Sequence, residues 1–562
     1  MPELITRLLM QHMRRSGEKA FREIEEASRH ATSFSEQLLM KLVSDSKDTE
    51  YGKKYHFDSI KSIDDYKRLV PISTYDDYAP YIERIVKKGE ENVLTSRKIV
   101  HFALSSGSVG VPKSIPVVQE VIDLYSEAGA SRTFALAGRY LKEHGKKFPY
   151  HKCLNLVEIT ERFTELGVTK GAISSVSLSH ARPFLKYLMT TPLEVIFPKE
   201  EMDQKYLKLL FALAYEDLAF IAGAFTTALV DLMVYLTNNW EMLVEDIRTG
   251  TINKSIALSD ELRASLEKQL KADPKRAAFL KAEFEKGFDT PIVPRIWPKV
   301  SWMGGIGTGT FAPYTENMRK FVGPDLPHDN LLYAASESIF ACCPGMNRNE
   351  FLMIPQSGFY EFVPAEDDEI TRTYNINELE IGKDYEIVLT NLSGFYRYRI
   401  YDVVRVLGYY GESPLVQFVY RKNQVVNLAG EKTNTEALAS AVDNFAKAIG
   451  CDVVDYSILP DTSTDRARYV FVIETSREFP KEREEEFARI MEEKLGDASP
   501  LFKFAVLTGE LDSSRLVMVQ PQTYALWRDL QIAKGTSPNQ VKPVRVIDTP
   551  IKEKFFMGLR VK

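Results

Sequence analysis

The sequence predicts an α/β protein of two unequal domains, the first running over residues 1–422 and the second over 423–562. Three observations predict it. Apolar residues recur at helical spacing over 119–141 and again over 202–286. Residues 331–420 read instead as successive strands, at 385–390, 396–401, 403–407 and 416–420. After Arg421-Lys422-Asn423 short strands alternate with amphipathic helices.

Taken in order, residues 1–94 read as helices with charged faces, broken at Tyr51-Gly52 and at Val70-Pro71. A β-type run at 99–104 leads into a Gly-rich loop, and Ile115-Pro116-Val117-Val118 resumes strand character before a long helical pattern. Residues 218–230 form the longest apolar stretch, bounded by Asp217 and Asp231. Crossing a bilayer takes about 20 residues, so a buried core helix is expected there. Residues 293–310 turn β-like and end in Gly304-Gly305-Ile306-Gly307-Thr308-Gly309, which lacks the third glycine of a dinucleotide fingerprint and reads as a substrate-pocket or structural turn. In the second domain Thr433 and Glu436 are spaced as a capping box for a helix ending near Gly450. Phe487, Ile490, Met491 and Leu495 make a packing stripe on a later helix, under an acidic face.

Length and charge narrow the function. A chain of 562 residues that is 44% hydrophobic buries at least one large core without staples, in roughly two to four folding units. Lys and Arg total 72 against 78 Asp and Glu, and the net charge of −6 gives no general attraction to nucleic acid or an acidic membrane. Small-molecule partners are expected, with no required protein partner evident. Four cysteines without zinc spacing, and no signal-peptide pattern at the N-terminus, point to a cytoplasmic protein.

The chemistry begins at Ser105-Ser106-Gly107-Ser108-Val109-Gly110-Val111-Pro112-Lys113. Hydroxyls and backbone N–H groups in a Gly-rich turn form a concave donor array for phosphate oxygens. A Walker A loop needs Gly directly before Lys-Ser and a helix after it, whereas here Pro112 precedes Lys113 and a strand follows. Further on stand Tyr333-Ala334-Ala335-Ser336-Glu337, then Tyr396-Arg397-Tyr398-Arg399-Ile400-Tyr401-Asp402, then Tyr420-Arg421-Lys422-Asn423. Neither a His-Glu-x-x-His metal motif nor a Gly-x-Ser-x-Gly nucleophile elbow occurs.

The four segments resemble, in this order, the phosphate loop, magnesium glutamate, ribose aspartate and hinge of the adenylate-forming superfamily. More specifically, the chain resembles the auxin-responsive acyl acid amido synthetases, the plant hormone-conjugating enzymes and their bacterial relatives. That resemblance includes Tyr51-Gly52-Lys53, Val70-Pro71-Ile72 with residues 75–81, Trp240, Trp297-Pro298, Gly430-Glu431-Lys432-Thr433 and Gln540-Val541-Lys542-Pro543-Val544-Arg545. It implies a firefly luciferase-like fold: a large N-terminal domain with a β-barrel and mixed sheets, binding ATP and the acyl acid, and a smaller mobile C-terminal cap.

It further implies ATP binding by Ser105, Ser106, Gly107, Ser108, Lys113, Tyr333, Ser336, Glu337, Asp402 and Arg421. Glu337 is the Mg²⁺ ligand, a hard carboxylate that shares the ion with substrate phosphates. Asp402 accepts the ribose hydroxyls. Lys432 is the catalytic cation near the α-phosphate, and Lys542 a second catalytic lysine, for which Lys552 and Lys554 compete. Arg132 is a candidate for the acyl site, together with the region 171–179. Val109 and Asn423 depart from the pattern, standing where relatives often keep a hydroxyl residue and an aspartate.

The expected reaction is ATP-dependent adenylation of a carboxylic acid, releasing pyrophosphate, and transfer of the acyl group to an amine, expected to be an amino acid. The alternatives are an acyl-CoA ligase with the same first half-reaction and a catalytically degenerate nucleotide-binding protein.

Overall fold

The computed structural model describes residues 2–104, 113–367, 369–422, 426, 428–429, 431, 433, 435–463, 466–534, 536 and 541–561. The chain divides into two compact units, residues 1–400 with 405–417, and 401–404 with 418–562.

The larger unit opens with two helices, Pro2–Arg29 and Ala31–Ser46. Tyr51-Gly52, expected as a break, lies inside a short helix, Glu50–Lys54, because the Thr49 side chain caps it by accepting from Gly52 N–H at 3.0 Å. Glycine is required there for room, since a Cβ would stand 2.1 Å from Ser46 O. The break at Val70-Pro71 occurs as expected: helix Ile63–Leu69 stops, and Ser73 pairs with Tyr398 as a parallel bridge.

Residues 218–230 are not one core helix. They divide into strand Ile221–Phe225 and the start of helix Thr226–Thr249. The strand's less buried positions, Ala222, Ala224 and Phe225, are as apolar as the buried Ile221 and Gly223, so the sequence shows no alternation to separate strand from helix. The strand belongs to a parallel sheet in the order Leu154–Asn155, Ile221–Phe225, Met303–Ile306, His328–Asp329. Helices Gln204–Leu213 and Thr226–Thr249 supply Leu207, Leu210, Leu229, Leu232 and Leu236 to a core closed by Trp297. Of the β-like stretch 293–310 only Met303–Ile306 is strand, and Val293–Ile296 is a helical turn with Pro294 in its first turn, where a missing N–H costs nothing.

The β-rich heart is a seven-stranded sheet in the order Gly358–Pro364, Asp384–Asn391, Tyr398–Tyr410, Ser413–Arg421, Phe351–Met353, Ile339–Cys342, Leu332–Ala334. The expected strands 396–401 and 403–407 merge into the single strand Tyr398–Tyr410. A smaller sheet pairs Ile99–Leu104 with Ser114–Val118 antiparallel, and with Thr169–Gly171 parallel.

In the smaller unit Val453–Asp461 pairs antiparallel with Arg468–Thr475, which pairs parallel with Arg515–Met518. Helices Thr435–Ile449 and Glu484–Ala498 bring Phe445, Phe487, Met491 and Leu495 to its core, so the predicted packing stripe is in place. Of the expected capping box, Thr433 bridges to Val426 ahead of the helix Thr435–Ile449, and Asn434 and the Glu436 side chain lie outside the described residues. Among the described residues no helix is long and apolar enough to cross a membrane.

Candidate active site

The expected phosphate-loop residues Ser105, Ser106, Gly107 and Ser108 lie outside the described residues, but the strands on either side are paired, Leu104 opposite Ser114 and Ala103 opposite Ile115. Lys113 is exposed, with its ammonium 4.7 Å from the centre of the Tyr75 ring. The Tyr75 hydroxyl accepts from Ser114 N–H at 3.2 Å, which fixes the ring beneath that lysine.

The Ser336-Glu337 turn reaches the same place. Ala335 N–H donates to Ser338 O at 2.9 Å, tightening the connection between strands Leu332–Ala334 and Ile339–Cys342. The Ser336 hydroxyl donates to Leu104 O at 3.4 Å, tying the turn to the last residue of the strand before the loop. Asn391 Nδ2 donates to Glu337 O at 2.8 Å, and the Tyr398 hydroxyl donates to Glu337 Oε1 at 3.4 Å. Burial pushes the Tyr75 hydroxyl above its usual range, and the charge of Glu337 adds to the shift. Lys113, Ser336 and Glu337 therefore converge at the foot of one hairpin, with Tyr75 and Tyr398 beside them. Tyr333, on the adjoining strand, packs its ring 5.1 Å from that of Phe340 and is buried.

The segment 396–402 is braced from below. The Tyr78 hydroxyl both donates to Tyr396 O at 2.7 Å and accepts from Tyr396 N–H at 2.8 Å, and burial pushes its pKa up to about 12, so it stays protonated. The Tyr51 ring stacks on both Tyr78 and Tyr396. Arg397 makes a bidentate pair with the buried Glu361 at 2.9 Å and donates to the carbonyls of Lys67 and Val70. Arg399 pairs likewise with the buried Glu386 at 2.7 and 2.8 Å. Arg397 and Tyr401 hold φ of 49° and 63°, a left-handed conformation that non-glycine residues keep only where surroundings enforce it. Tyr396, Arg397 and Tyr398 of this motif are thus buried, and Arg399 and Tyr401 half-buried.

In the smaller unit Asp402 and Arg421 come together, Arg421 Nε donating to Asp402 Oδ1 at 2.5 Å, with Asp402 buried. Lys432 lies outside the described residues, yet both its neighbours are anchored. The buried Glu431 carboxylate accepts from Leu428 N–H at 2.8 Å, Ala429 N–H at 2.7 Å and the Tyr469 hydroxyl at 2.6 Å. Thr433 exchanges two backbone hydrogen bonds with Val426. Lys542 is exposed and heads a segment that docks beside strand Val453–Asp461, where Ile458 N–H donates to Arg545 O and Ile547 N–H to Ile458 O. Lys552 is paired with Asp548.

Arg132 is fully buried. Its guanidinium donates to both Asp329 oxygens at 3.1 and 3.0 Å and to the carbonyls of Ala128, Cys343 and Leu331. The glycine turn after Met303–Ile306 is likewise knitted: Gly307 N–H donates to Asn330 Oδ1, Thr315 donates to Gly307 O, and a Cβ on Gly307 would meet Thr315 Oγ1 at 2.0 Å.

Sequence reasoning quoted the segments holding Tyr75, Tyr398 and Glu431 without giving these residues a task. The two tyrosines carry a signal in hindsight, a hydroxyl-bearing ring adjoining a motif. Asn391 and Tyr469 carry none, because they reach their partners only through the fold.

Comparison with known proteins follows the same lines. Residues 20–327 match the GH3 family N-terminal domain, 351–421 its central domain and 436–551 its C-terminal domain. The chain is 29% identical to a probable indole-3-acetic acid-amido synthetase, GH3.1 of Arabidopsis thaliana, over 95% of this chain and 92% of that one. It is 27% identical to the jasmonoyl–L-amino acid synthetase JAR6 of Nicotiana attenuata, over 94% and 93%. The solved structure of GH3.15 acyl acid amido synthetase matches with a TM-score of 0.82 at 25% identity, over 96% of this chain and 95% of the other.

Proposed function

We propose the following from the premise that the chain belongs to the GH3 family, the acyl acid amido synthetases that join carboxylic acids to amino acids. The carboxylate of the acid attacks the α-phosphorus of ATP, giving an acyl-adenylate and pyrophosphate. The neutral amine of an amino acid then attacks the activated carbonyl and releases AMP. No covalent enzyme nucleophile is required, since the mixed anhydride is already activated. The observation that carries this assignment is the meeting of Lys113, Ser336 and Glu337 at the base of the hairpin that leads into the Ser- and Gly-rich loop.

In this reading Ser105, Ser106, Gly107, Ser108, Lys113 and Ser336 bind the phosphates, Tyr333 stands behind the nucleotide, and Asp402, oriented by Arg421, takes the ribose hydroxyls. Lys432 offsets charge developing at the α-phosphorus, and Lys542 is the second catalytic lysine. Arg132, its donors committed to Asp329 and backbone carbonyls, supports the wall of the acyl site from behind. Mg²⁺, when bound, neutralises the departing pyrophosphate, and Glu337 is the residue that would hold it. A half-buried carboxylate with a tyrosine hydroxyl beside it fits an ion that takes substrate oxygens, and among the described residues no cluster of His, Cys, Asp and Glu forms a protein cage.

The division into domains 1–422 and 423–562, the curling of the large sheet into a barrel and rotation of a mobile C-terminal cap about 421–425 belong to the same proposal. The first is supported by the family domain ending at 421, and 423–425 lie outside the described residues. A cytoplasmic setting accords with four free cysteines. That the chain is a bacterial relative of the plant enzymes belongs to the same proposal.

The test is acid-dependent ATP–pyrophosphate exchange over aromatic, indolic and fatty acids, followed by amide formation with amino acids. Exchange abolished in Glu337→Ala and retained in Glu337→Asp is the expected result. Thioester formation with coenzyme A in place of amide would overturn the acceptor, and undiminished exchange in Glu337→Ala would overturn the metal assignment.

A further inference from the structure

Away from these residues, the first helix, Pro2–Arg29, packs along the helix Arg132–Glu143, and the two enclose a groove of about 1060 Å³. The helices approach closely because glycines stand where they meet. A Cβ on Gly17 would lie 1.8 Å from Ser131 O, and one on Gly138 would lie 2.9 Å from the Arg14 Cδ. The groove is lined by eight cationic side chains and four acidic ones, in a chain whose net charge is −6.

The acids are already used. Glu18 pairs with Arg139 and Arg22, Glu25 with Arg139, Glu23 with Lys19 and Glu26 with Arg29. Arg14, Arg15, Lys142 and Lys146 remain, and none of them is ion-paired among the described residues. The Arg14 guanidinium lies 5.5 Å from the centre of the ring of Phe148, which also lines the groove. Four like charges gathered in one concavity repel one another, and an anion with several negative oxygens relieves that repulsion. Guanidinium forks and ammonium groups together match phosphate oxygens.

We propose that this groove binds a small polyphosphate anion, the chemistry shared by inorganic pyrophosphate and the triphosphate of a nucleotide, at a site separate from the adenylation residues. A bounded groove of this size falls in the range of small-molecule sites.

The test is calorimetric titration of the full chain with pyrophosphate and, separately, with a non-hydrolysable ATP analogue. It compares the natural protein with Lys142→Gln/Lys146→Gln and with Arg14→Gln/Arg15→Gln. Each double variant is expected to weaken one binding component about tenfold, the loss of one or two charge-assisted hydrogen bonds, while acid-dependent exchange is unchanged. Lys142→Arg/Lys146→Arg is expected to keep it, and circular dichroism verifies folding. Sensitivity seen with pyrophosphate alone or with the nucleotide alone supports the site and names its ligand. Binding of both anions equal in all variants, or sensitivity seen only with RNA or anionic vesicles, overturns the proposal.

Discussion

Around residues 396–400 the backbone is gripped by residues from the far end of the chain, whereas Leu428, Ala429 and Glu431 are gripped by their own neighbourhood. Tyr78 reaches Tyr396 across 318 positions, and Ser73 holds Arg397 O from a similar distance. Glu431, in contrast, accepts from residues three and two positions away and from Tyr469, 38 positions on. One region owes its geometry to the whole of the large unit. The other carries its geometry with it, as a loop must if its unit is to move as a body during a catalytic cycle.

That contrast is open to experiment. The largest effect is expected from Glu361→Ala, which strands the buried guanidinium of Arg397. Breaking such a pair costs about 3–5 kcal/mol, and thermal melting of the large unit should fall accordingly. A melting temperature unchanged from the natural protein would mean that the long-range grip is ornamental.

Acid offers the next test. Burial depresses the pKa of His101, on the strand leading to the phosphate loop, to about 4. A histidine with a lowered folded pKa binds fewer protons folded than unfolded. It therefore contributes stability above its unfolded value of 6.5 that is lost as pH falls toward 4, about 3 kcal/mol in all. Denaturant melts between pH 7 and pH 4 should show this loss, and His101→Gln should flatten it.

Tyr78→Phe should cost about 1–3 kcal/mol, because it leaves the buried Tyr396 N–H without its partner. The smallest effect on global stability is expected from Glu431→Gln, about 1 kcal/mol. Its signature is local: faster amide exchange at Leu428 and Ala429 and slower adenylation, with the large unit's melt unmoved. A melt lowered as far as in Glu361→Ala would erase the distinction between the two regions.

Much of this was legible in the residues and some was not, for physical reasons. Polar, Gly-rich punctuation marked the loop after Leu104, and the strands expected on either side of it are in place. The order of motifs pointed to the family. Helical spacing identified 202–286, but the strand within 218–230 shows no alternation, because the residues on its exposed face, Ala222 and Ala224, are apolar too. Spacing alone does not reveal that Thr433 also bridges to Val426. Arg132 illustrates the deeper obstacle. Nothing near it in sequence indicates that Asp329 neutralises it, and only the packing of distant strands and helices brings that carboxylate within reach.

The tyrosine brace under residue 396 also has a consequence at the ribosome. Tyr51, Tyr66 and Tyr78 emerge early, while Tyr396 and Thr390, which complete their contacts, follow more than 300 residues later. At about 5–20 residues per second the N-terminal helices wait on the order of tens of seconds with an aromatic face uncovered. During synthesis that face stays open to non-native contacts until the later strand arrives.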